Sequence, residues 1–354
     1  MTTVVPVPVR LGRRSGDVAW RAMPETGPLV DTFGRVHSDL RVSVTDRCNL
    51  RCTYCMADED QTFRPRKEIL TFDEIERVAR VARSLGVAAL RLTGGEPLVR
   101  AGLVDLVARL AALGFDDLAL TTNGTFLARF APALAAAGLQ RVNVSCDSLR
   151  PERFAAIRRR GELGRVLAAM DVAEKAGLRP LKVNVVLQRG VNDDEIPDFV
   201  AFSRATGREV RFIEFMPLDA EGRWVREAVV ASAGVVARIN ARSPLRPVEG
   251  DGPSVAPATV YEFIDGAGRI GVVATVTQPF CGTCNRLRLT ADGAVRNCLF
   301  SDEELSVREL LRAGASDDEI ALVLRRAVWG KKAGHGIGDP AFSRPIRTMS
   351  MIGG

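Results

Sequence analysis

From about Asp39 the chain alternates two patterns. Short runs switch between apolar and polar at every residue, which marks strands with unlike faces. Between them, apolar residues recur every three or four positions, the stripe of a helix packed on one side. The strand candidates are Leu40–Thr45, Ala88–Thr93, Asp117–Thr121, Arg141–Asp147, Leu181–Leu187 and Val210–Phe215. The first helix starts at Thr71, where Glu74 three residues on completes a capping box, and it stops at Gly86. Further helices are expected over Val104–Leu113, Leu127–Ala137, Arg165–Ala176 and Ile196–Ala205. Such β-α repetition predicts an α/β fold with a parallel sheet and right-handed crossovers. Six units are too few for the usual eight-stranded barrel, so a partial barrel is expected. After about Pro247 the pattern changes. Tyr261–Ile264 and Arg269–Thr275 flank an Asp-Gly turn, and helical patterns follow at Ser301–Ala313 and Ser316–Trp329. The expected organisation is a mobile N-terminal extension at 1–28, the partial barrel at 29–247 and a smaller α+β region at 248–354.

In a parallel barrel the outer strand face packs on helices and is apolar. This sorts the side chains. Val42, Val44, Leu90, Leu92, Leu118, Leu120, Val142, Val144, Val183 and Val185 point outward. Arg41, Ser43, Thr45, Arg91, Thr93, Thr121, Asn143, Ser145, Asp147, Lys182 and Asn184 then point into the lumen. Three lumen cations from three strands are costly without anions. Either structural carboxylates or a polyanion such as a nucleotide triphosphate answers them, and arginine forks suit phosphate. Cys146 shares the face of Val142 and Val144, so it is expected to be an inert buried thiol.

Composition adds less. The 354 residues carry a net charge of +6, which allows an anionic partner but does not demand one. The N-terminal apolar piece is broken by Pro6 and Pro8, unlike a secretory signal, and no apolar run reaches membrane-span length. A cytoplasmic protein with no membrane association is expected. Six of the seven cysteines form two trios, Cys48, Cys52, Cys55 and Cys281, Cys284, Cys298. In a cytoplasmic chain these read as metal ligands before disulfides. His37 and His335 stand alone. A closed zinc site needs four ligands, although Cys-x2-Cys is also a common zinc knuckle. Three thiolates on a 4Fe–4S cluster leave one iron open.

The Cys-x3-Cys-x2-Cys spacing at Cys48, followed one unit later by Thr93-Gly94-Gly95-Glu96-Pro97, resembles the radical S-adenosylmethionine (radical SAM) superfamily. The two trios together, with Asn285-Arg286-Leu287-Arg288-Leu289 between the later cysteines, resemble the GTP 3′,8-cyclase family of molybdenum cofactor biosynthesis from about Leu29 to Gly354. That resemblance implies a partial (βα)6 radical SAM barrel with a second iron–sulfur cluster in the C-terminal region. It implies two 4Fe–4S clusters, one on each trio, and S-adenosyl-L-methionine (SAM) bound by Tyr54, Gly95, Ser145 and Met216. It implies GTP held by Arg41, Arg91, Thr121, Lys182, Arg286 and Arg288, with the Gly353-Gly354 tail reaching the site. The implied lyase activity forms (8S)-3′,8-cyclo-7,8-dihydroguanosine 5′-triphosphate through a 5′-deoxyadenosyl radical. An external one-electron donor, a downstream cyclic pyranopterin monophosphate synthase and a homodimer are expected with it. Two rival readings are a radical SAM peptide maturase and a zinc-bearing nucleic-acid-binding protein. The maturase usually carries more cysteines and needs no phosphate-type cations.

Overall fold

The computed structural model describes residues 23–56, 59–248 and 256–353. Most of the expected N-terminal extension and Gly354 lie outside these. Six strands, β1 (Asp39–Ser43), β2 (Ala89–Thr93), β3 (Asp117–Thr122), β4 (Arg141–Ser145), β5 (Lys182–Leu187) and β6 (Glu209–Glu214), pair in sequence order, all parallel. Helices α1 (Phe72–Ser84), α2 (Leu103–Ala112), α3 (Leu127–Ala136), α4 (Pro151–Arg158), α5 (Leu163–Lys175) and α6 (Ile196–Thr206) connect them, and α7 (Ser232–Asn240) follows β6. The ten outward residues named above are all 0 or 1 % exposed and belong to one core with the helices. The α1 capping box forms as expected, with Thr71 Oγ1 accepting from the Glu74 amide and Glu74 Oε2 from the Thr71 amide. Such a cap stabilises a helix by about 1 kcal/mol.

The later strands are β7 (Leu245–Pro247), β8 (Thr259–Phe263), β9 (Arg269–Val273), β10 (Arg286–Leu289), β11 (Ala294–Arg296) and β12 (Leu305–Ser306). They do not form a sheet of their own. β9 pairs parallel with β6, and β10 pairs parallel with β1, so the C-terminal chain extends the barrel sheet at both edges. Eight parallel strands thus stand side by side while β9 and β10 remain unpaired with each other, and the barrel is open. Short helices α8 (Arg308–Arg312) and α10 (Met349–Ile352) bracket the longer α9 (Asp317–Trp329). The helix expected over Ser301–Ala313 is a correction. Only Arg308–Arg312 is helical, and Leu305 and Ser306 form β12 instead, because they pair with Val295 and Ala294 and strand pairing overrides the local helical pattern. Among the described residues no helix is long and apolar enough to cross a membrane.

Candidate active site

The first cysteine trio lies just beyond the end of β1. Its loop is held by backbone bonds from two neighbours. Gly95 and Glu96 amides donate to Thr45 O and Arg47 O, each at 2.8 Å. The Arg51 and Thr53 amides donate to the carbonyls of Arg158 and Ile157 at the end of α4. Two glycines permit this approach. Gly94 has φ +145°, and a Cβ on it would stand 2.5 Å from Thr45 O. A Cβ on Gly95 would collide with Arg47 O. Burial pushes the Cys52 thiol up to about 12 and raises the Cys48 and Cys55 thiols as well. Metal binding there must therefore expel protons.

The second trio is assembled by a hairpin. Cys281 and Cys284 flank a tight turn at Cys281–Thr283 that leads into β10, and Cys298 follows β11. β10 and β11 are antiparallel, with Arg288 opposite Arg296, so Cys298 returns to the hairpin end where Cys284 stands. Cys284 Sγ accepts from Arg286 Nη2 at 3.1 Å and Lys331 Nζ at 3.2 Å. Burial opposes the thiolate, yet Arg286 and then Lys331 bring the Cys284 thiol down to about 6. Arg35 locks the turn by donating to Cys281 O at 2.6 Å and to Lys332 O and Ala333 O.

Because β10 runs parallel to β1, this trio lies at the N-terminal end of the barrel strands, while the first lies at the C-terminal end. Both trios nevertheless line one cavity of about 290 Å³. All six thiols are free. Among the described residues no three His, Cys, Asp or Glu side chains gather tightly enough to hold a single metal ion. A polynuclear cluster instead takes its cysteines one to each iron. The residues fit such groups, with Cys48, Cys52 and Cys55 on one and Cys281, Cys284 and Cys298 on the other.

Between the trios runs a row of arginines. Register places Arg288 of β10, Arg41 of β1 and Arg91 of β2 directly side by side. Adjacent strands are about 4.8 Å apart, so three like charges share one stretch of the lumen. The nearest carboxylate to Arg41 is Asp39, at 3.8 Å. The Nε groups of Arg41 and Arg91 are buried without an acceptor. Burial, then repulsion by Arg41, pulls both the Arg91 and Arg288 guanidinium groups down from their usual range.

Of the residues expected at the site, Tyr54, Gly95, Ser145, Met216, Arg41, Arg91, Thr121, Arg286 and Arg288 all line the cavity. Lys182 does not, and pairs with Glu209 at 3.5 Å. Arg211 reaches the lining in its place, sharing Glu209. Arg211 was missed by the strand sorting, yet the signal was there: Val210 and Phe212 on β6 point out, so Arg211 points in. Arg158 also lines the cavity and carried no such signal. The tail enters as well. Arg288 Nη1 donates to Gly353 O at 2.5 Å, and a Cβ on Gly353 would collide with Thr93 Oγ1. His37 and Cys146 lie outside the lining, whereas His335 is part of it. His37 pairs with Asp31, His335 Nε2 bonds Thr275 O, and Cys146 is fully buried with its thiol pushed up to about 12 by burial.

A parallel, open barrel with a cysteine trio after its first strand and a glycine turn after its second defines a radical SAM protein. Accordingly, the Radical SAM superfamily model matches residues 42–203, and the Molybdenum Cofactor Synthesis C model matches 208–337. The chain belongs to the GTP 3′,8-cyclase family. It is 51 % identical over 328 residues to the GTP 3′,8-cyclase of Streptomyces coelicolor, covering 92 % of this chain and 96 % of that protein. It is 48 % identical over 358 aligned positions to GTP 3′,8-cyclase 2 of Mycobacterium tuberculosis, covering 99 % of each. Solved structures share the fold. Streptococcus suis SuiB bound to precursor peptide SuiA aligns at TM-score 0.57 and 13 % identity, covering 87 % of this chain and 67 % of that one. Native anSMEcpe with bound AdoMet aligns at TM-score 0.54 and 14 % identity, covering 84 % of this chain and 82 % of that one.

Proposed function

We propose that this chain converts GTP to (8S)-3′,8-cyclo-7,8-dihydroguanosine 5′-triphosphate for molybdenum cofactor biosynthesis. The observation that carries the reading is the in-register row of Arg288, Arg41 and Arg91 between the two cysteine trios. With Arg211 and Arg286, five cations line this part of the cavity and the carboxylates paired with them are Asp39 and Glu209, an excess of three. A nucleoside triphosphate answers that excess, whereas a peptide backbone does not.

Cys48, Cys52 and Cys55 would hold a cluster that would supply the electron for cleavage of SAM to methionine and a 5′-deoxyadenosyl radical; that radical would take hydrogen from ribose C3′ of GTP, C3′ would bond to guanine C8, and one further electron and a proton would complete the dihydropurine. The chain's own work is placement. Tyr54, Gly95, Ser145 and Met216 line the C-terminal mouth and would hold SAM. The arginines would hold the triphosphate, with Thr121 beside them, while Cys281, Cys284 and Cys298 would hold the second cluster. Arg288 and Gly353 would close the site around the substrate, excluding water from the radical. The division of labour follows the chain, with 29–247 serving SAM and 248–354 the second cluster. An external one-electron donor is required, and the product passes to a cyclic pyranopterin monophosphate synthase.

Anaerobic reconstitution should give about eight irons per chain, and about four in Cys284→Ser. SAM with a reductant should release 5′-deoxyadenosine only when GTP is added. Release driven by a peptide and not by GTP would overturn the reading.

Binding should also depend on pH. Burial, then Arg211, pulls Lys182 down to about 8. Its charge is present below that pH and lost above it, so GTP affinity should fall as pH rises through about 8. Lys182→Arg, which stays charged, should flatten that fall in an equilibrium-dialysis titration.

A further inference from the structure

We propose that Arg158 sets the reduction potential of the cluster on Cys48, Cys52 and Cys55 and, through Asp147, positions Tyr54. The inference rests on reading that trio as a cluster site. Arg158 ends α4 and is 1 % exposed, yet its side chain reaches the cavity. The same helix end stitches down the cysteine loop, because the Arg51 and Thr53 amides donate to the Arg158 and Ile157 carbonyls at 3.2 and 3.0 Å. Charge and loop therefore move as one unit.

The guanidinium is incompletely answered. Its Nη2 forms an ion pair with Asp147 Oδ2 at 2.9 Å that is not aligned as a hydrogen bond, and Nε has no acceptor in the protein. Asp147 is shared three ways. Oδ2 also accepts from Tyr54 Oη at 2.8 Å, and Oδ1 accepts from the Val186 amide at 2.9 Å. Two other buried carboxylates lie near the loop: Glu96 is spent on the Thr122 hydroxyl and the amides of Leu98 and Asn123, and Asp46 accepts from the Arg64 amide. Burial works against the Arg158 charge, and Asp147 chiefly keeps it.

Reducing a three-thiolate cluster adds one negative charge to a buried site. A fixed cation that lines the same cavity favours the reduced form, and charge and hydrogen bonds near the sulfurs are what tune such potentials. Arg158 thus makes the one-electron loading step easier, while Asp147 partly offsets it and holds the ring that faces SAM.

The test is an EPR-monitored redox titration of full-length holoenzyme, following the signal that changes when SAM is added. Arg158→Gln should shift that midpoint to a more negative value, Arg158→Lys should restore most of the shift, and the second cluster's midpoint should stay put. Asp147→Asn should move it the other way, to a more positive value, because the offsetting charge is gone. Should Arg158→Gln lose its iron, the Asp147→Asn and Arg158→Lys midpoints still decide. An unchanged midpoint in Arg158→Gln with iron retained, or a negative shift in Asp147→Asn, overturns the proposal. A wild-type protein with no iron on the first trio would instead overturn the cluster reading beneath it.

Discussion

Replacing Arg91 with methionine should weaken GTP binding by roughly 10- to 150-fold while making the GTP-free protein more stable. The two effects have one cause. Arg91 stands beside Arg41, which stands beside Arg288, on three adjacent strands. In the free protein this row is a liability. Like charges directly opposite on neighbouring strands repel, and a buried cation without a partner is costly. The Arg91 Nε has no acceptor at all. Methionine keeps the stem's packing and removes the charge, so the unliganded protein should gain stability on the order of 1 kcal/mol. In the complex the sign reverses. A charge-assisted hydrogen bond to phosphate contributes about 1.5–3 kcal/mol, the stated loss in affinity. Thermal melting without GTP and isothermal titration with GTP measure the two separately. Arg91→Met with lower stability and unchanged affinity would show that the row is a structural network and not a phosphate cradle. Arg91→Lys should fall between, because a single ammonium cannot reproduce the planar fork.

How much of this was legible in the sequence depended on range. The alternation of β1 through β5 was enough to place Arg41, Arg91, Thr121 and Ser145 in the lumen and Cys146 in the core, because strand parity is a local rule and both faces of these strands are committed. Parity puts Lys182 on the same face as the lining residue Asn184, but Lys182 itself does not line the cavity and pairs with Glu209. Its partner Glu209 lies opposite it on the next strand, a pairing that no local pattern states. The same holds for the arginine row. Arg286 and Arg288 could be seen to share a face, but that β10 would lie against β1 and bring Arg288 level with Arg41 is a register decided between distant parts of the chain. Lys331, after α9, donates to Cys284 from outside any recognisable motif. The helix expected over Ser301–Ala313 shrank to Arg308–Arg312 for the complementary reason. Its apolar spacing was real, but the open edge of β11 offered Leu305 and Ser306 a ladder.

Alanine at Gly95 should abolish SAM cleavage while leaving the second cluster in place. The reason is steric and involves backbone only. A Cβ on Gly95 would collide with Arg47 O and lie 2.7 Å from Arg47 C and 2.8 Å from Asp46 O. No side chain can rotate away, so the loop that leads into Cys48 must retreat or the Gly95 turn must. Either movement breaks the bonds from the Gly95 and Glu96 amides to Thr45 O and Arg47 O. These bonds fix the height of the cysteine loop above the β1 and β2 ends. A displacement near 1 Å at a reacting centre costs about 100-fold in rate, and a loop that no longer presents three thiolates together loses its iron outright. Gly94→Ala adds conformational strain to the same clash, since its φ of +145° is one that side chains resist. The control is Gly164→Ala. Gly164 lies in α5 with open space where its Cβ would be, so alanine there should raise stability by about 0.5–1 kcal/mol and leave turnover alone. Iron per chain, SAM affinity and 5′-deoxyadenosine release in the three variants separate the outcomes. If Gly95→Ala kept about eight irons and normal SAM cleavage, the close approach of the two turns would be incidental, and the first trio would have to be positioned by the α4 carbonyls alone.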